Sequence, residues 1–164
     1  MKIIKEIVPY VIIILMVILI RSYIVTPVKV NGTSMDPTLR DNQILLLKKY
    51  DKKLERFDII VLNYDNSRLI KRVIGLPGEK IKYVDSALYV NDKKIDEDFI
   101  VATTNDFDIS TLGYTTIPNG YYFVMGDNRN NSTDSRVIGL VSIDDILGTT
   151  TFSLFPFNRF GFIG

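Results

Sequence analysis

A serine in a turn-forming segment is the first residue of this sequence whose type and setting suit chemistry. Residues 31–39 read NGTSMDPTL and follow a run with strand-forming character. Gly32 permits tight backbone geometry and the close approach of a substrate, and Pro37 rigidifies the far side of the turn. Ser34 is then presented on a fixed turn, where its own N–H can face a developing oxyanion. The segment predicts a serine nucleophile, although an ordinary loop rich in Gly, Ser and Pro has the same composition.

The second candidate is a lysine between aliphatic residues, in the stretch SRLIKRVIGLPGE. In an extended strand Lys71 shares a face with Leu69 and Val73. Burial among such neighbours disfavours the charged amine and lowers its pKa from about 10.4, as a base near neutral pH requires. Arg68 and Arg72 lie on the other face and stay charged, so we expect Arg72→Met to be much milder than Lys71→Met. The alternative is an edge-strand lysine that prevents aggregation.

The third segment, residues 126–136, reads GDNRNNSTDSR and is dense in hydrogen-bonding side chains. We predict two ion pairs that fix this loop, one between Asp127 and Arg129 and the other between Asp134 and Arg136. A solvated turn and a calcium loop are the alternatives, but the Gly and Glu of the EF-hand pattern are missing at their set spacing.

Two absent residue types narrow the chemistry of this 164-residue chain, which has no cysteine and no histidine. Their absence excludes disulfides, Cys- or His-bound zinc, a Ser-His-Asp triad and a Cys-His pair. The base that serves a nucleophile must then be a lysine, a carboxylate or an amine. No carboxylate cluster has metal-ligand spacing, so we predict no metal and no cofactor. The net charge of +1 gives no basic surplus for nucleic acid.

An apolar run lies near the N-terminus of the chain. If this run is a membrane anchor, it determines where the candidate residues lie relative to the membrane. Fourteen uncharged residues begin at Ile7 and end at Ile20, short of the roughly 20 that span a bilayer. Residues 23–25 extend the run when Arg21 reaches the headgroups. We predict an uncleaved anchor over residues 1–25 with a cytoplasmic N-terminus, because basic residues precede the run. A cleaved signal peptide, for which no A-x-A-like site is present, and a buried core helix are the alternatives.

The remaining chain, residues 26–164, predicts a mainly β domain with an antiparallel sheet. Short β-branched and aromatic runs alternate with clusters of Gly, Pro, Asn and Asp. The runs occupy residues 23–30, 43–48, 58–64, 69–74, 80–84, 88–90, 121–125 and 137–141. Residues 79–120 are more polar and predict a small insertion or subdomain.

Three local signals add detail to this fold. Residues 91–94 predict a hairpin turn, and Ser142 predicts the cap of one helical turn over residues 142–146. The tail at residues 152–163 carries five Phe in twelve positions. It suits either a core strand or the membrane interface, and we favour the core strand.

Taken together and in this order, the segments resemble bacterial type I signal peptidases, especially the Gram-positive enzymes. The resemblance covers nearly the whole chain: the anchor, then GTSMDPTL, KRVIGLPGE and GDNRNNSTDSR. It implies a signal-peptidase-like fold and a serine endopeptidase with a Ser/Lys dyad, in which Ser34 attacks the scissile carbonyl and Lys71 is the general base. Relatives of the endoplasmic reticulum carry His at the position of Lys71, which disfavours that branch, whereas the mitochondrial branch keeps Lys and stays open.

The resemblance also implies supporting residues in the third segment. Ser132 is similar to the family's hydroxyl that orients the lysine amine. Asp134 and Arg136 resemble its supporting salt bridge, and Asp127 and Arg129 resemble its structural partners.

Two residues of the first segment also match family positions. Met35 falls where the family packs a methionine beside the nucleophile. Gly32 stands where some members carry a serine whose hydroxyl helps to bind the oxyanion, so the second oxyanion donor stays open here.

The family implies exported preproteins as substrates, bound as an extended strand with small residues at the first and third positions before the cut. Cleavage then occurs at the outer face of the cytoplasmic membrane, by a single-pass protein whose catalytic domain is extracellular. Membrane lipid and the secretion translocon are the other implied partners. A non-catalytic, membrane-tethered module that binds preproteins is the alternative from a different class. A self-cleaving Ser/Lys repressor is disfavoured, because it would need a DNA-binding domain and lacks the anchor.

Overall fold

The structure is a computed structural model and describes residues 2–49, 53–100 and 102–163. Their regular elements are two helices and twelve strands, joined by turns and three short 3-10 helices. The elements are α1 (Lys2–Tyr23), β1 (Val25–Lys29), β2 (Ile44–Lys48), β3 (Ile59–Tyr64), β4 (Ser67–Gly75), β5 (Ile81–Val84), β6 (Ala87–Val90), β7 (Lys93–Ile95), β8 (Phe107–Asp108), β9 (Tyr121–Met125), α2 (Ser135–Ile138), β10 (Val141–Ser142), β11 (Ile146–Phe155) and β12 (Gly161–Phe162).

Helix α1 contains the apolar run for which the sequence predicts an anchor. Its large apolar side chains from Ile7 to Leu19 are between 46% and 68% exposed. Pro9 lies inside the helix. Among the residues whose side chains are described, no helix is long and apolar enough to cross a membrane.

Eight strands form one antiparallel sheet, which confirms the predicted mainly β fold. The order is β1-β2-β11-β3-β4-β9-β10, and β12 also pairs with β11. Strands β3 and β4 form a hairpin whose register is unbroken from Ile59 opposite Arg72 to Tyr64 opposite Ser67. Every residue from Ile70 to the end of β4 is buried. The second motif therefore lies in a strand that is covered on both faces.

Strand β11 is the longest of the strands that the predicted runs do not include. It lies between β2 and β3 and spans ten residues, ILGTTTFSLF. Three threonines and a glycine interrupt its apolar alternation, and its pairing with both neighbours shifts register. A period-2 pattern that is broken in this way does not stand out in the sequence.

A second sheet of four strands, ordered β7-β6-β5-β8, lies within residues 79–120, the stretch for which the sequence predicts an insertion. Its β6–β7 hairpin turns at Asn91 and Asp92, which both have positive φ. The hairpin confirms the predicted turn, although Lys93 and Lys94 already belong to β7.

The region after β9 corrects one predicted strand. Residues 137–141 were expected to be extended, but α2 occupies the first part of this range and β10 begins only at its end. The Asp134 side chain caps α2 by accepting from the Arg136 N–H, and this cap starts a helix where apolar content alone suggests a strand. The predicted turn after Ser142 is present, since the Ser142 hydroxyl accepts from the Asp144 N–H.

The phenylalanine-rich tail forms strand at its two ends, in β11 and β12, but four of its five rings are exposed rather than in the predicted core. Phe155, Phe157, Phe160 and Phe162 are between 45% and 85% exposed. Their rings make edge contacts within the tail, with Phe152 against both Phe160 and Phe162. The core prediction is wrong because β11 ends at Phe155 and a 3-10 helix then turns the chain back, so that these rings contact one another at the surface.

Candidate active site

The turn between β1 and β2 presents Ser34 beside the sheet. Its backbone begins at Gly32, whose φ of +88° suits a residue without a side chain and whose N–H donates to Asp41 Oδ1 at 2.7 Å. Met35 and Leu39, which follow the serine in the turn, are buried in the core. The nucleophile candidate is thus held between a bonded glycine and two packed apolar side chains.

Lys71 reaches this serine from the middle of β4. Its side chain is only 2% exposed, and its Nζ donates to Ser34 Oγ at 2.7 Å. Burial lowers the pKa of Lys71 to about 8, and the negative charges of Asp134 and Asp127 limit the shift. The two candidates, 37 residues apart in sequence, therefore form a hydrogen-bonded pair with a base poised near neutral pH.

The loop after β9 packs directly on the nucleophile turn. The Asn128 N–H donates to the Ser34 carbonyl at 3.0 Å, and the side chains of Asn128 and Asn131 donate to Thr33 at 3.1 and 3.0 Å. At Gly126 a Cβ atom would collide with the Ser34 carbonyl and with Ser132. The approach of the two segments therefore requires a glycine at this position.

Ser132 lies in this contact but does not make the predicted bond to the lysine amine. Its Oγ is buried and meets the strict hydrogen-bond geometry with no described group, but its interaction with the Asp134 carboxylate contributes to the lowered pKa of Asp134. A role in orienting Lys71 remains a prediction.

One of the two predicted ion pairs is present. Arg136 donates to Asp134 through Nε and Nη2, each at 2.9 Å. The Gly126 N–H also donates to this carboxylate at 3.1 Å. Burial raises the pKa of Asp134, but the hydrogen bonds and charge of Arg136 outweigh burial and hold the pKa below its usual range.

The predicted pair between Asp127 and Arg129 is wrong. Asp127 instead accepts two hydrogen bonds from Arg72, at 2.8 and 2.6 Å, and both side chains are buried. Arg72 does face away from Lys71, but into an ion pair rather than into solvent. The cause is the alternation of β4, which aims consecutive side chains at the dyad and at the loop after β9.

Arg129 connects the same loop to the second sheet. Its buried guanidinium donates to Glu97 at 2.6 Å, and to the Tyr83 hydroxyl and Thr104 Oγ1 at 3.0 Å each. The Tyr83 hydroxyl in turn donates to Glu97. The sequence analysis did not identify Glu97. The one signal that could have pointed to it is general: an arginine that is buried in a loop needs a carboxylate partner, which another segment can supply.

A cleft of about 580 Å³ opens beside the dyad. Residues 27–31, Ser34 and Met35 line one side, and residues 67–71 line the other. Both walls are strand edges. Among the residues that the structure describes, strand β1 pairs only with β2, and β9 pairs with β4 only from Arg72 onward. Within the described residues, these edges have backbone groups free to pair with an extended peptide.

Comparison with known proteins fits this geometry. The family model described as signal peptidase, peptidase S26, matches residues 3–155. The chain belongs to this signal peptidase family. Signal peptidase I T of Bacillus subtilis is 42% identical over 166 residues, covering 91% of this chain and 83% of the relative. Signal peptidase IB of Staphylococcus aureus is 38% identical over 160 residues, covering 87% and 84%.

A solved structure agrees with this membership of the signal peptidase family. The crystal structure of a signal peptidase I from Enterococcus faecalis V583 is 38% identical, with a TM-score of 0.57. It covers 58% of this chain and 95% of that chain.

Among the described residues, no group of three or more Asp or Glu side chains is placed to hold a metal ion. The independence of metal remains a prediction.

Proposed function

We propose that this chain is a serine endopeptidase that removes signal peptides from exported preproteins, with Ser34 as the nucleophile and Lys71 as the general base. The 2.7 Å hydrogen bond between the buried Lys71 amine and the Ser34 hydroxyl carries the proposal. Membership of the signal peptidase family supplies the substrate class.

The dyad suggests the order of the proton transfers. The neutral Lys71 amine takes the proton of Ser34 Oγ as this oxygen attacks the scissile carbonyl carbon. The Ser34 N–H, which has no acceptor among the described residues, faces the oxygen that becomes negative. The Lys71 ammonium then protonates the leaving amine of the mature protein. In the second half, the neutral Lys71 amine takes a proton from a water that attacks the acyl carbon of the acyl-enzyme. The Lys71 ammonium then returns a proton to Ser34 Oγ as the signal peptide leaves.

The remaining predicted site residues act as supports in this proposal. Asp134, bonded to Arg136, keeps a negative charge near Lys71 and holds Gly126 against the nucleophile turn. The proposed role of the Ser132 hydroxyl is to hold the amine of Lys71 during turnover.

Four further residues support the site from around the dyad. Met35, which follows the nucleophile, is buried in the core, and Gly32 shapes the turn. Asp127 and Arg129 fix the loop through partners in β4 and in the second sheet.

The substrate binds as an extended strand between β1 and β4 in this proposal. Both edges have unpaired backbone groups along the cleft, within the described residues. Strand addition supplies main-chain hydrogen bonds, and alternate side chains then enter the apolar positions of the walls. Small residues at the first and third positions before the cut suit such shallow positions.

Helix α1 anchors the enzyme in the cytoplasmic membrane in our proposal. Its uncharged run, its outward-facing apolar side chains and the basic residues at its start support an anchor at residues 1–25. Residues 26–164 then form the extracellular catalytic domain, with an insertion at about residues 79–120. Membrane lipid and the secretion translocon are the accompanying partners.

Cleavage of a purified preprotein by the full chain in detergent tests the proposal. Ser34→Ala should lower turnover by several orders of magnitude and leave the fold intact. The matched control is Ser110→Ala, an exposed serine of the second sheet region, which should cleave like the wild type. Ordinary turnover by a folded Ser34→Ala protein contradicts the assignment of the nucleophile. Preprotein binding by the wild type without any turnover would favour the non-catalytic alternative.

A further inference from the structure

The cleft beside the dyad has a local excess of positive charge, whereas the chain as a whole is nearly neutral. Its walls include three cations, Lys29, Arg68 and Lys71, and no Asp or Glu. The whole sequence has 20 basic and 19 acidic residues, so this local excess is not a consequence of composition. Lys71 is used as the base, which leaves two cations without a role in the chemistry.

Lys29 and Arg68 are placed where a bound peptide would meet them. Both are exposed, and they lie on opposite walls, in β1 and β4. Neither forms an ion pair or a side-chain hydrogen bond within the part of the chain that the structure describes. Asp65 and Asp145 line a hollow that adjoins Arg68, but they make no ion pair with it.

The spacing along β4 defines the substrate position that Arg68 meets. Arg68 precedes Lys71 by three residues, which is about 10 Å in a strand. A peptide strand beside β4 has the same rise, so the residue that faces Arg68 lies about three positions from the residue that faces Lys71. Arg68 and Lys71 point to opposite faces of β4, so this residue presents its side chain away from the amine.

We propose that Lys29 and Arg68 determine specificity by favouring substrates with an Asp or Glu three residues from the residue that precedes the cut, that is, at the fourth position before the cut or the third position after it. The inference rests on the proposed function of the same cleft. Opposite charges on adjacent strands stabilise their pairing, and in an exposed cleft each pair changes affinity by about two- to fivefold. Two cations on two walls give the substrate strand a charged neighbour on either side.

The ordinary explanation for both residues is protection of exposed strand edges, because lysines and arginines at an edge prevent unwanted strand pairing. That explanation predicts no dependence of turnover on substrate charge. The two explanations therefore separate in a kinetic experiment.

The experiment compares peptides that differ at one residue, at the fourth position before or the third position after the cut, carrying Asp, Asn or Lys there. The full chain in detergent is assayed for kcat/KM as the wild type, as Lys29→Gln/Arg68→Gln and as Lys29→Glu/Arg68→Glu. The matched control is Lys93→Gln/Lys94→Gln, which removes the same charge from exposed positions of β7. Circular dichroism and thermal unfolding check that each variant is folded.

We expect the wild type to cleave the Asp peptide at least about fivefold faster than the Lys peptide at one of the two positions, at low ionic strength. The Gln variant should lose this preference, the Glu variant should reverse it, and the control should keep it. Added salt should weaken it, since exposed charges are screened.

Equal cleavage of all peptides by the wild type, or an unchanged preference in the Glu variant, would overturn the specificity role and leave the proposed function intact. Failure of the folded wild type to cleave any peptide or preprotein would overturn the proposed function, and the specificity role with it.

Discussion

At the scale of single residues, the chemistry depends on the protonation of one amine. Lys71 is buried, bonded to Ser34 Oγ, and has a pKa of about 8 because burial disfavours its charged form. The nearby carboxylates of Asp134 and Asp127 keep the pKa from falling further. Near neutral pH a minor fraction of the amine is neutral, and only this fraction can accept the serine proton.

The first prediction concerns pH. Because the charged amine is inactive as a base, kcat/KM should rise as pH increases toward about 8 and level off above it. Below this value the rate should fall about tenfold for each pH unit, as for one essential deprotonated group. A pH–rate series with one uncharged peptide measures this limb. A flat profile from about two pH units below this pKa to about one unit above it would contradict the assignment.

The second prediction removes the base. Lys71→Met keeps most of the bulk but cannot take a proton, so we expect it to be inactive at every pH and still folded. Lys82→Met, an exposed lysine of β5, is the matched control and should retain wild-type kcat/KM. The general base lies elsewhere if a folded Lys71→Met protein shows a normal rate.

The third prediction corrects the sequence-based expectation for Arg72. The sequence suggests a mild effect of Arg72→Met, since this side chain faces away from the dyad. The structure shows a buried, doubly hydrogen-bonded pair with Asp127 and a bond to the Phe57 carbonyl at 2.9 Å. Removing one partner of a buried pair typically costs about 3–5 kcal/mol, so we expect a large loss of thermal stability.

Differential scanning fluorimetry of the purified chain measures this loss. Arg68→Met, in the same strand but exposed, is the control for stability and should change the unfolding temperature little. Equal unfolding temperatures for the two variants would show that the buried pair contributes nothing to the fold.

At the scale of elements, the two faces of strand β4 contact two different segments. Lys71 reaches the nucleophile turn and Arg72 reaches the loop after β9. Arg129 of the same loop forms hydrogen bonds with Glu97, Tyr83 and Thr104, which lie in or beside the second sheet. The second sheet is thereby linked by hydrogen bonds to the loop that packs on Ser34.

The fourth prediction tests this link. Glu97→Ala leaves the buried Arg129 without its carboxylate, so we expect lower stability and a lower kcat with little change in KM. Arg129→Met in the same protein removes the unpaired charge and should recover part of the stability. A double-mutant cycle should give a coupling free energy of at least about 1 kcal/mol. Asp98→Ala, an exposed neighbour, is the control, and additive effects would contradict the link.

At the scale of the whole molecule, the proposed anchor places all of these elements on one side of a membrane. The fifth prediction follows from this topology. Protease added to intact spheroplasts should digest residues 26–164, because the basic residues before the apolar run favour a cytoplasmic N-terminus. Immunoblotting with tags at each end measures the fragments. Full protection until lysis would overturn the topology.

The sequence by itself determined the features that depend on residue type and local period. The absence of histidine and cysteine restricted the base for Ser34 to a lysine, a carboxylate or an amine, and alternation placed Lys71 and Arg72 on opposite faces of one strand. Most strands could be predicted from runs of β-branched and aromatic residues, because such side chains pack well on the pleated surface of a sheet.

Only the tertiary structure decided which distant groups meet. Asp127 pairs with Arg72, 55 residues away, and Arg129 pairs with Glu97, 32 residues away, although a nearer partner existed for each. The order of the sheet and the packing of the loop bring these charges together, and buried charges take the partner that geometry supplies. The same holds for the exposed phenylalanines of the tail. Their composition suits a core, but the reversal of the chain after Phe155 gives them no core to enter.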